Sequence, residues 1–232
     1  MHFVFFIFYL SFTYGRELGR EPPHKMGDSN PSSAPSSAST DTTATPRADN
    51  GKLSSLPQLH RFVTGHDAAG KAIVHSHNDF NWQPYDEDQL AFSVAYTTSE
   101  FPPDLNKDVD VARHDAVLAS GNLGLVNPRG TVLRCVDFAP GYACGMHRTQ
   151  SLDYGIVLEG EVDMVLDSGE RHVMRRGDVA VQRATQHQWV NRSKTEWARM
   201  MFVLQDCKPL VVGGEVYGED LGSNSGLPPS GN

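Results

Sequence analysis

Two stretches of the sequence decide the fold, GYACGMHRTQSLDYGIVLEG at 141–160 and GDVAVQRATQHQWVN at 177–191. Short apolar runs in both are bounded by glycine, which is typical of short strands joined by turns. Between the two stretches, Val162, Met164 and Leu166 alternate with acidic residues, the period-2 pattern of a half-buried strand. A tight turn is expected directly after that strand, at the sequence Asp-Ser-Gly.

The sequence on both sides of these stretches has the same texture. Arg61–Thr64 and Lys71–His75 flank a turn-forming segment and predict a hairpin. Further strands are predicted at Ala91–Tyr96, Thr131–Phe138 and Trp197–Leu204. Several short strands at close, regular spacing predict an all-β sandwich or barrel.

Composition divides the chain into four regions. We expect an apolar N-terminal segment at 1–15, a disordered Ser/Thr/Pro-rich segment at 16–55, the folded domain at 56–212 and a flexible C-terminal tail at 213–232. The folded region includes one helix candidate at Asn106–Leu118. Its buried face is expected to contain valine, alanine and leucine side chains.

The apolar run Phe3–Phe12 is too short to cross a bilayer, which needs about 20 residues. One interpretation is the apolar part of a secretory signal peptide, although no Lys or Arg precedes the run. The other is a dispensable tail. We expect a cytoplasmic location, with secretion as the alternative if residues 1–15 act as a signal.

Charge and cysteine content exclude several classes of protein. The chain has 232 residues, with 20 Lys and Arg against 28 Asp and Glu, so its net charge is −8. No basic run is present, and we therefore expect neither nucleic-acid binding nor a polybasic membrane contact. Three cysteines are too few for a disulfide framework, so the fold depends on its own core.

The two stretches resemble the paired motifs of the cupin superfamily. At the family spacing, Gly141 is followed by His147, Thr149, Asp153 and Gly160, where the family has Gly, His, His, Glu and Gly. The resemblance covers roughly 125–204 and implies a single cupin-type (jelly-roll) β-barrel. The disordered N-terminal extension would precede this barrel.

The second motif also departs from the family pattern. It contains His187 and Asn191 at the expected places, but Gln182-Arg183-Ala184 replaces Pro-x-Gly. The set HRTxSxDY and VQRxTxHxWxN is similar to a subfamily of small stand-alone cupins from fungi and bacteria. Some of these are called cupin-domain oxidoreductases of polyketide pathways.

Three residues are candidate metal ligands. Residues that project inward from neighbouring strands of a small barrel can meet at one point, and His147, Asp153 and His187 would form a facial triad of two imidazoles and one carboxylate. Such a triad suits Fe(II), while Mn, Ni and Zn stay open. These three residues are also the candidate catalytic residues. The alternative is a hydrogen-bonded polar cluster without metal, in which a histidine acts as a general base near neutral pH.

Four more residues are candidates for substrate binding. Thr149 could orient a substrate or water, Tyr154 could line the pocket, and the fork of Arg148 suits a carboxylate or phenolate. Trp189 could line the pocket. The alternatives are an outward-facing arginine and aromatic side chains that belong only to the core.

The resemblance implies an enzyme, a metal-dependent cupin oxidoreductase that acts on a small hydrophobic, polyketide-derived intermediate of secondary metabolism. The alternative is a non-catalytic or metal-free cupin that binds a small molecule, or a dehydratase or isomerase. The resemblance also makes a homodimer a further expectation, since cupins often pair through exposed edge strands.

Overall fold

The computed structural model describes residues 51–222 and 226–231, and nearly all of its regular structure is β-strand. The strands are β1 (His60–His66), β2 (Ala72–Asp79), β3 (Gln83–Tyr85), β4 (Leu90–Thr98), β5 (Thr131–Phe138), β6 (Ser151–Glu159), β7 (Glu161–Leu166), β8 (Arg171–Arg175), β9 (Val179–Arg183), β10 (His187–Asn191), β11 (Ala198–Asp206), β12 (Leu210–Val212) and β13 (Glu215–Tyr217). The one α-helix of these residues is α1 (Val109–Ala119), directly after a 3-10 turn at Asn106–Asp108.

Two antiparallel sheets form the body of the domain. One has six strands in the order β3-β4-β5-β11-β6-β9, and the other has three in the order β10-β7-β8. Buried apolar side chains from both sheets form one core, to which Val136 and Met200 contribute from the larger sheet and Val162 and Trp189 from the smaller. The predicted all-β cupin-type barrel is confirmed.

Strand alternation gives the larger sheet two buried faces. On β5, Val132, Val136 and Phe138 face the main core, whereas Cys135 belongs to a second cluster on the other face. Phe80 and Trp82 form part of that second cluster, and it is covered by the segment that precedes β1. Five of the eight residues in TVLRCVDF are apolar, as a strand buried on both faces requires, while Arg134 and Asp137 are buried charged residues.

The hairpin and the helix are present where the sequence predicts them. Strands β1 and β2 pair antiparallel with a bulge between Val63 and Thr64. The buried residue of α1, however, is His114, while Ala112 and Leu118 are exposed. The prediction that the buried face of the helix is apolar is therefore wrong, because the helix contacts β4 through the imidazole of His114.

The C-terminal tail differs from the expected flexible segment. Leu221 and Leu227 pack against the main core, and Ser230 is buried. The Ser230 hydroxyl accepts a hydrogen bond from the Val126 backbone N–H at 3.0 Å, and Arg148 and Asp220 form a backbone bridge. The segments around Leu221 and Leu227 therefore pack against the barrel, because these two leucines find apolar surface there, whereas 213–217 are exposed.

The N-terminal boundary also shifts slightly. The predicted segment 1–15 lies outside the described residues, and so does the predicted segment 16–55 except for 51–55. Ser54 precedes the expected start of the domain but is buried, and its hydroxyl donates to the Asp137 carboxylate. Across 51–222 and 226–231, no helix has both the length and the apolar content that a membrane crossing needs.

Candidate functional site

The site begins with a backbone pairing that places two histidines side by side. The His147 N–H donates to the His187 carbonyl oxygen, and the His187 N–H donates to the His147 carbonyl oxygen, both at 2.9 Å. This pair joins the loop before β6 to the start of β10. Their ring centroids lie 4.4 Å apart at an interplanar angle of 50°.

Both rings are oriented by the same local device. Nδ1 of His147 lies 2.9 Å from the Gly145 carbonyl oxygen, and Nδ1 of His187 lies 2.9 Å from the Thr185 carbonyl oxygen. A carbonyl only accepts, so each Nδ1 carries the proton and donates. Each neutral ring then presents the lone pair of Nε2. This is the tautomer in which metal-binding histidines are commonly held.

Burial keeps both imidazoles neutral. It lowers the pKa of His147, and it lowers the pKa of His187 to about 3, with the neighbouring His147 as the second cause. Two imidazolium ions this close would repel each other in a dry site. The pair therefore presents two neutral ring nitrogens, the Nε2 atoms, each with a lone pair available to a ligand.

The third candidate, Asp153, is buried on β6 and bound by hydroxyls. Thr149 donates to one carboxylate oxygen at 3.1 Å, and Ser151 to the other at 2.5 Å. Burial raises the pKa of Asp153 to about 6, against the opposing effects of these two hydrogen bonds and of the Arg134 charge. The carboxyl group can thus gain or lose a proton near neutral pH.

One cavity brings these groups together. His147, Thr149, Asp153, His187 and Trp189 all line it. Most of the remaining wall is apolar: Leu90, Phe92, Leu125, Val136, Phe138, Phe202, Leu204 and Leu227. The cavity volume is about 70 Å³. Pockets for drug-sized ligands are roughly 300–1,000 Å³, so this one admits a small molecule or one end of a larger one.

The side chains of the site are of the types that bind a divalent metal. Two neutral imidazoles with correctly oriented Nδ1–H groups and a carboxylate are the ligands that non-haem iron uses, and Mn, Ni and Zn accept them as well. However, within 51–222 and 226–231 no three His, Cys, Asp or Glu side chains are grouped closely enough to form a metal site. The imidazoles are placed for a ligand, while both carboxylate oxygens of Asp153 are engaged by hydroxyls.

Two of the predicted substrate-binding residues do not line the cavity. Tyr154 follows the inward Asp153 on β6, and strand alternation places it on the outer face, 38% exposed. Arg148 is turned toward the C-terminal segment, where its Nε donates to the Gly218 carbonyl oxygen at 2.7 Å and its guanidinium lies 4.9 Å from the Tyr217 ring centroid. The expectation that Tyr154 and Arg148 contact a substrate in the cavity is therefore wrong.

Sequence reasoning missed Arg134, which is buried on β5 and lines the same cavity. A signal was available in TVLRCVDF, because period-2 alternation places this arginine on the same face as Val132 and Val136. An arginine in the inward row of a core strand breaks the apolar pattern.

Cys144 lies beside the site as a thiol. Burial raises its pKa to about 11, and its Sγ accepts a hydrogen bond from the Trp189 N–H at 3.2 Å. A thiol with a raised pKa is a poor nucleophile and a poor metal ligand. Cys144 is therefore an inert thiol in the wall of the cavity.

Comparison with known proteins adds independent support for the family. A family model described as the cupin domain matches residues 134–204. The chain is 42% identical over 173 residues to phomopsin biosynthesis cluster protein D of Diaporthe leptostromiformis, covering 74% of this chain and 91% of that protein. It is 39% identical over 169 residues to oryzines biosynthesis cluster protein J of Aspergillus oryzae, covering 72% of this chain and 93% of that one.

A third relative is named for an activity. The chain is 43% identical over 160 residues to the cupin-domain-containing oxidoreductase virC of Hypocrea virens, covering 68% of this chain and 80% of that protein. Together with the barrel and its two motifs, these matches show that the chain belongs to the cupin superfamily. Its relatives include fungal biosynthesis-cluster proteins and cupin-domain oxidoreductases, as the motif resemblance implies.

Proposed function

We propose that this chain is a cupin oxidoreductase of fungal secondary metabolism that acts on a small, largely apolar molecule inside the barrel. The observation that carries the proposal is the pair of neutral imidazoles, of which His187 is buried and His147 is half-buried, oriented by matching carbonyl contacts and lining one apolar cavity. The reaction type and the metabolic setting are supported by the names of the relatives. A polyketide-derived substrate remains part of this proposal.

The proposed metal ligands are Nε2 of His147, Nε2 of His187 and the carboxylate of Asp153. When bound, a divalent metal, with Fe(II) as the first choice, would supply a Lewis-acid or redox centre that these side chains do not have. The protein would supply orientation, because each Nδ1–H is fixed by a carbonyl oxygen. Apolar walls would keep bulk water away from the substrate.

A metal-free function is the second candidate, and one observation favours it. Asp153 is bonded to Thr149 and Ser151, and the described residues contain no three-ligand cluster. In this case the cavity binds a small molecule. Either neutral imidazole could accept a proton from that molecule at Nε2, as a dehydratase or isomerase requires.

Metal content separates the two candidates. The full-length chain would be purified without added metal, incubated anaerobically with Fe(II), desalted and analysed by elemental mass spectrometry. We expect near-stoichiometric metal in the wild type and a loss of at least about tenfold in His187→Ala, because loss of a ligand should cost no less affinity than the 10–100-fold that loss of a ligand's hydrogen-bond partner typically costs.

The matched control is His172→Ala. His172 lies on β8 with an exposed side chain, so its removal tests for nonspecific imidazole binding. We expect no change in metal content in this variant. A wild-type protein that stays metal-free after the incubation would contradict the metal centre and leave the metal-free candidate.

A further inference from the structure

The inward row of β5 contains a charge where an apolar residue is expected. Arg134 lies between Val132 and Val136 in this row and is only 4% exposed. Burial of an ion is costly unless it is paired and hydrogen-bonded. An arginine at this place therefore has to be explained by its partners.

Those partners satisfy only part of the guanidinium. Its Nη2 donates to the carbonyl oxygens of Gly124 and Leu125, at 2.6 and 3.1 Å, and its Cζ lies 5.5 Å from the Phe92 ring centroid. Its Nε is buried and has no hydrogen-bond partner within the described part of the chain. One edge of the fork is thus anchored, while Nε–H is free for an acceptor.

No carboxylate of the described residues forms an ion pair with Arg134. The acid whose charge reaches it is Asp153, and both oxygens of that carboxylate accept from Thr149 and Ser151. The positive charge is therefore left without a bonded anion. It lines the same cavity as the two histidines.

We propose that Arg134 is the anion-binding residue of the cavity and that the ligand carries a carboxylate group, which accepts a hydrogen bond from the Arg134 Nε–H. A carboxylate matches the geometry of a guanidinium, and the bond is charge-assisted. The proposal rests on the proposed function only because it places the ligand in the same cavity. It narrows the substrate class to small acids with an apolar body.

The test compares an acid with its neutral amide. Butyrate and butyramide have the same body and differ in charge, so the comparison isolates the contribution of the carboxylate. Their dissociation constants would be measured on the full-length chain by calorimetry or by ligand-observed NMR. We expect the wild type to bind butyrate at least about tenfold more tightly than butyramide.

Two variants assign this preference to a residue. Arg134→Gln removes the charge, and we expect it to lose the preference for the acid. Arg148→Gln removes an arginine whose guanidinium contacts Gly218 and Tyr217 outside the cavity, and we expect it to keep the preference. Equal binding of acid and amide by the wild type, or an unchanged preference in Arg134→Gln, would overturn the proposal.

A bound metal is the other group that could attract a carboxylate. The same titrations on His187→Ala and on chelator-treated wild type separate the two sources. A preference that survives metal removal supports Arg134 even if the metal centre itself is contradicted. A preference that disappears with the metal but persists in Arg134→Gln assigns the acid to the metal and overturns the proposal.

The proposal stays testable if Arg134→Gln does not fold. Arginine Nε–H groups give separate signals in nitrogen-15 spectra, and the Arg134 signal of the wild type would be followed during a butyrate titration. We expect a downfield shift of its Nε proton, with no shift for butyramide. No change with butyrate would contradict the proposal.

Discussion

Two buried arginines on opposite faces of the same sheet have very different surroundings. Arg199 on β11 faces the outer cluster, where its Nε and Nη2 donate to the two oxygens of Asp137 at 2.5 and 2.7 Å. Its Nη1 donates to the Pro57 carbonyl oxygen at 2.7 Å, and its Cζ lies 4.8 Å from the Trp82 ring centroid. Arg134 on β5 faces the barrel interior and has no such acid.

The difference separates a structural charge from one that we assign to binding. Arg199 has a bidentate carboxylate and a carbonyl, so its network is closed inside the protein and fixes the segment before β1 against the sheet. Arg134 donates to two carbonyl oxygens, and its Nε has no partner among residues 51–222 and 226–231, so its hydrogen bonding is incomplete within that part of the chain.

The largest effect is expected from breaking the closed network. Asp137→Ala leaves the Arg199 charge buried without its partner, and removal of one member of a buried pair costs about 3–5 kcal/mol. We therefore expect the free energy of unfolding in urea to fall by about that amount. The control is Glu161→Ala, whose exposed ion pairs with Arg175 and Arg192 are worth at most about 1 kcal/mol. Equal losses in the two variants would contradict the contrast.

A smaller effect is expected from Arg134→Gln. The variant leaves the Gly124 and Leu125 carbonyl oxygens short of a donor, which costs about 1–3 kcal/mol, but it also removes an ion that is buried without an anion. The two effects oppose each other, so we expect a net loss of less than about 2 kcal/mol in the same urea experiment. A loss as large as that of Asp137→Ala would mean that Arg134 is mainly structural.

A third arginine, Arg61, faces a neutral base. Its Nη1 lies 2.9 Å from Nε2 of His114, whose Nδ1 contacts Thr97. Burial and the Arg61 charge lower the pKa of His114, with Asp110 and Asp115 opposing. A histidine whose pKa is lowered by folding binds protons more readily when unfolded, so its contribution to stability is lost as pH falls below its ordinary value of about 6.5.

We therefore expect the free energy of unfolding to decrease between pH 7 and pH 5, by about 1.4 kcal/mol for each tenfold weakening of proton binding by the folded state. His114→Gln should reduce this dependence, although it is less stable at pH 7. The readout is urea unfolding at several pH values. An unchanged pH slope in His114→Gln would show that His114 is not the titrating group.

The sequence predicts the barrel because its signals are local and repeated. Period-2 alternation, glycine turns and two separated motifs all indicate the same architecture, and the resemblance of the motifs to those of the cupin family implies that His147 and His187 lie together. The packing of the C-terminal tail has no such signal. Leu221 and Leu227 are isolated apolar residues in a Gly/Ser-rich segment, and only the tertiary structure offers them a surface.

The side-chain surroundings of the site were harder to predict than its position. Arg148 is next to His147 in the sequence, whereas Arg134 is distant in sequence but close to the site in space. The direction in which each side chain points decides which of the two reaches the cavity. His147 lies in a loop outside regular strand, so alternation could not be extended from it to Arg148. The hydroxyl contacts of Asp153 likewise depend on Ser151 and Thr149 having suitable rotamers, which the chain order does not reveal.

The smallest effect is expected at Tyr154, next to Asp153 in sequence but on the opposite face of β6. Tyr154→Phe removes a hydroxyl from a partly exposed ring, so we expect a change in unfolding free energy within about 0.5 kcal/mol. Metal content and the preference for butyrate should be unchanged. The matched inner variant is Thr149→Val, which removes the hydroxyl that donates to Asp153 and should alter at least one of these two readouts. A loss of metal or of acid preference in Tyr154→Phe would place this residue at the site after all and contradict the division of β6 into a cavity face and an outer face.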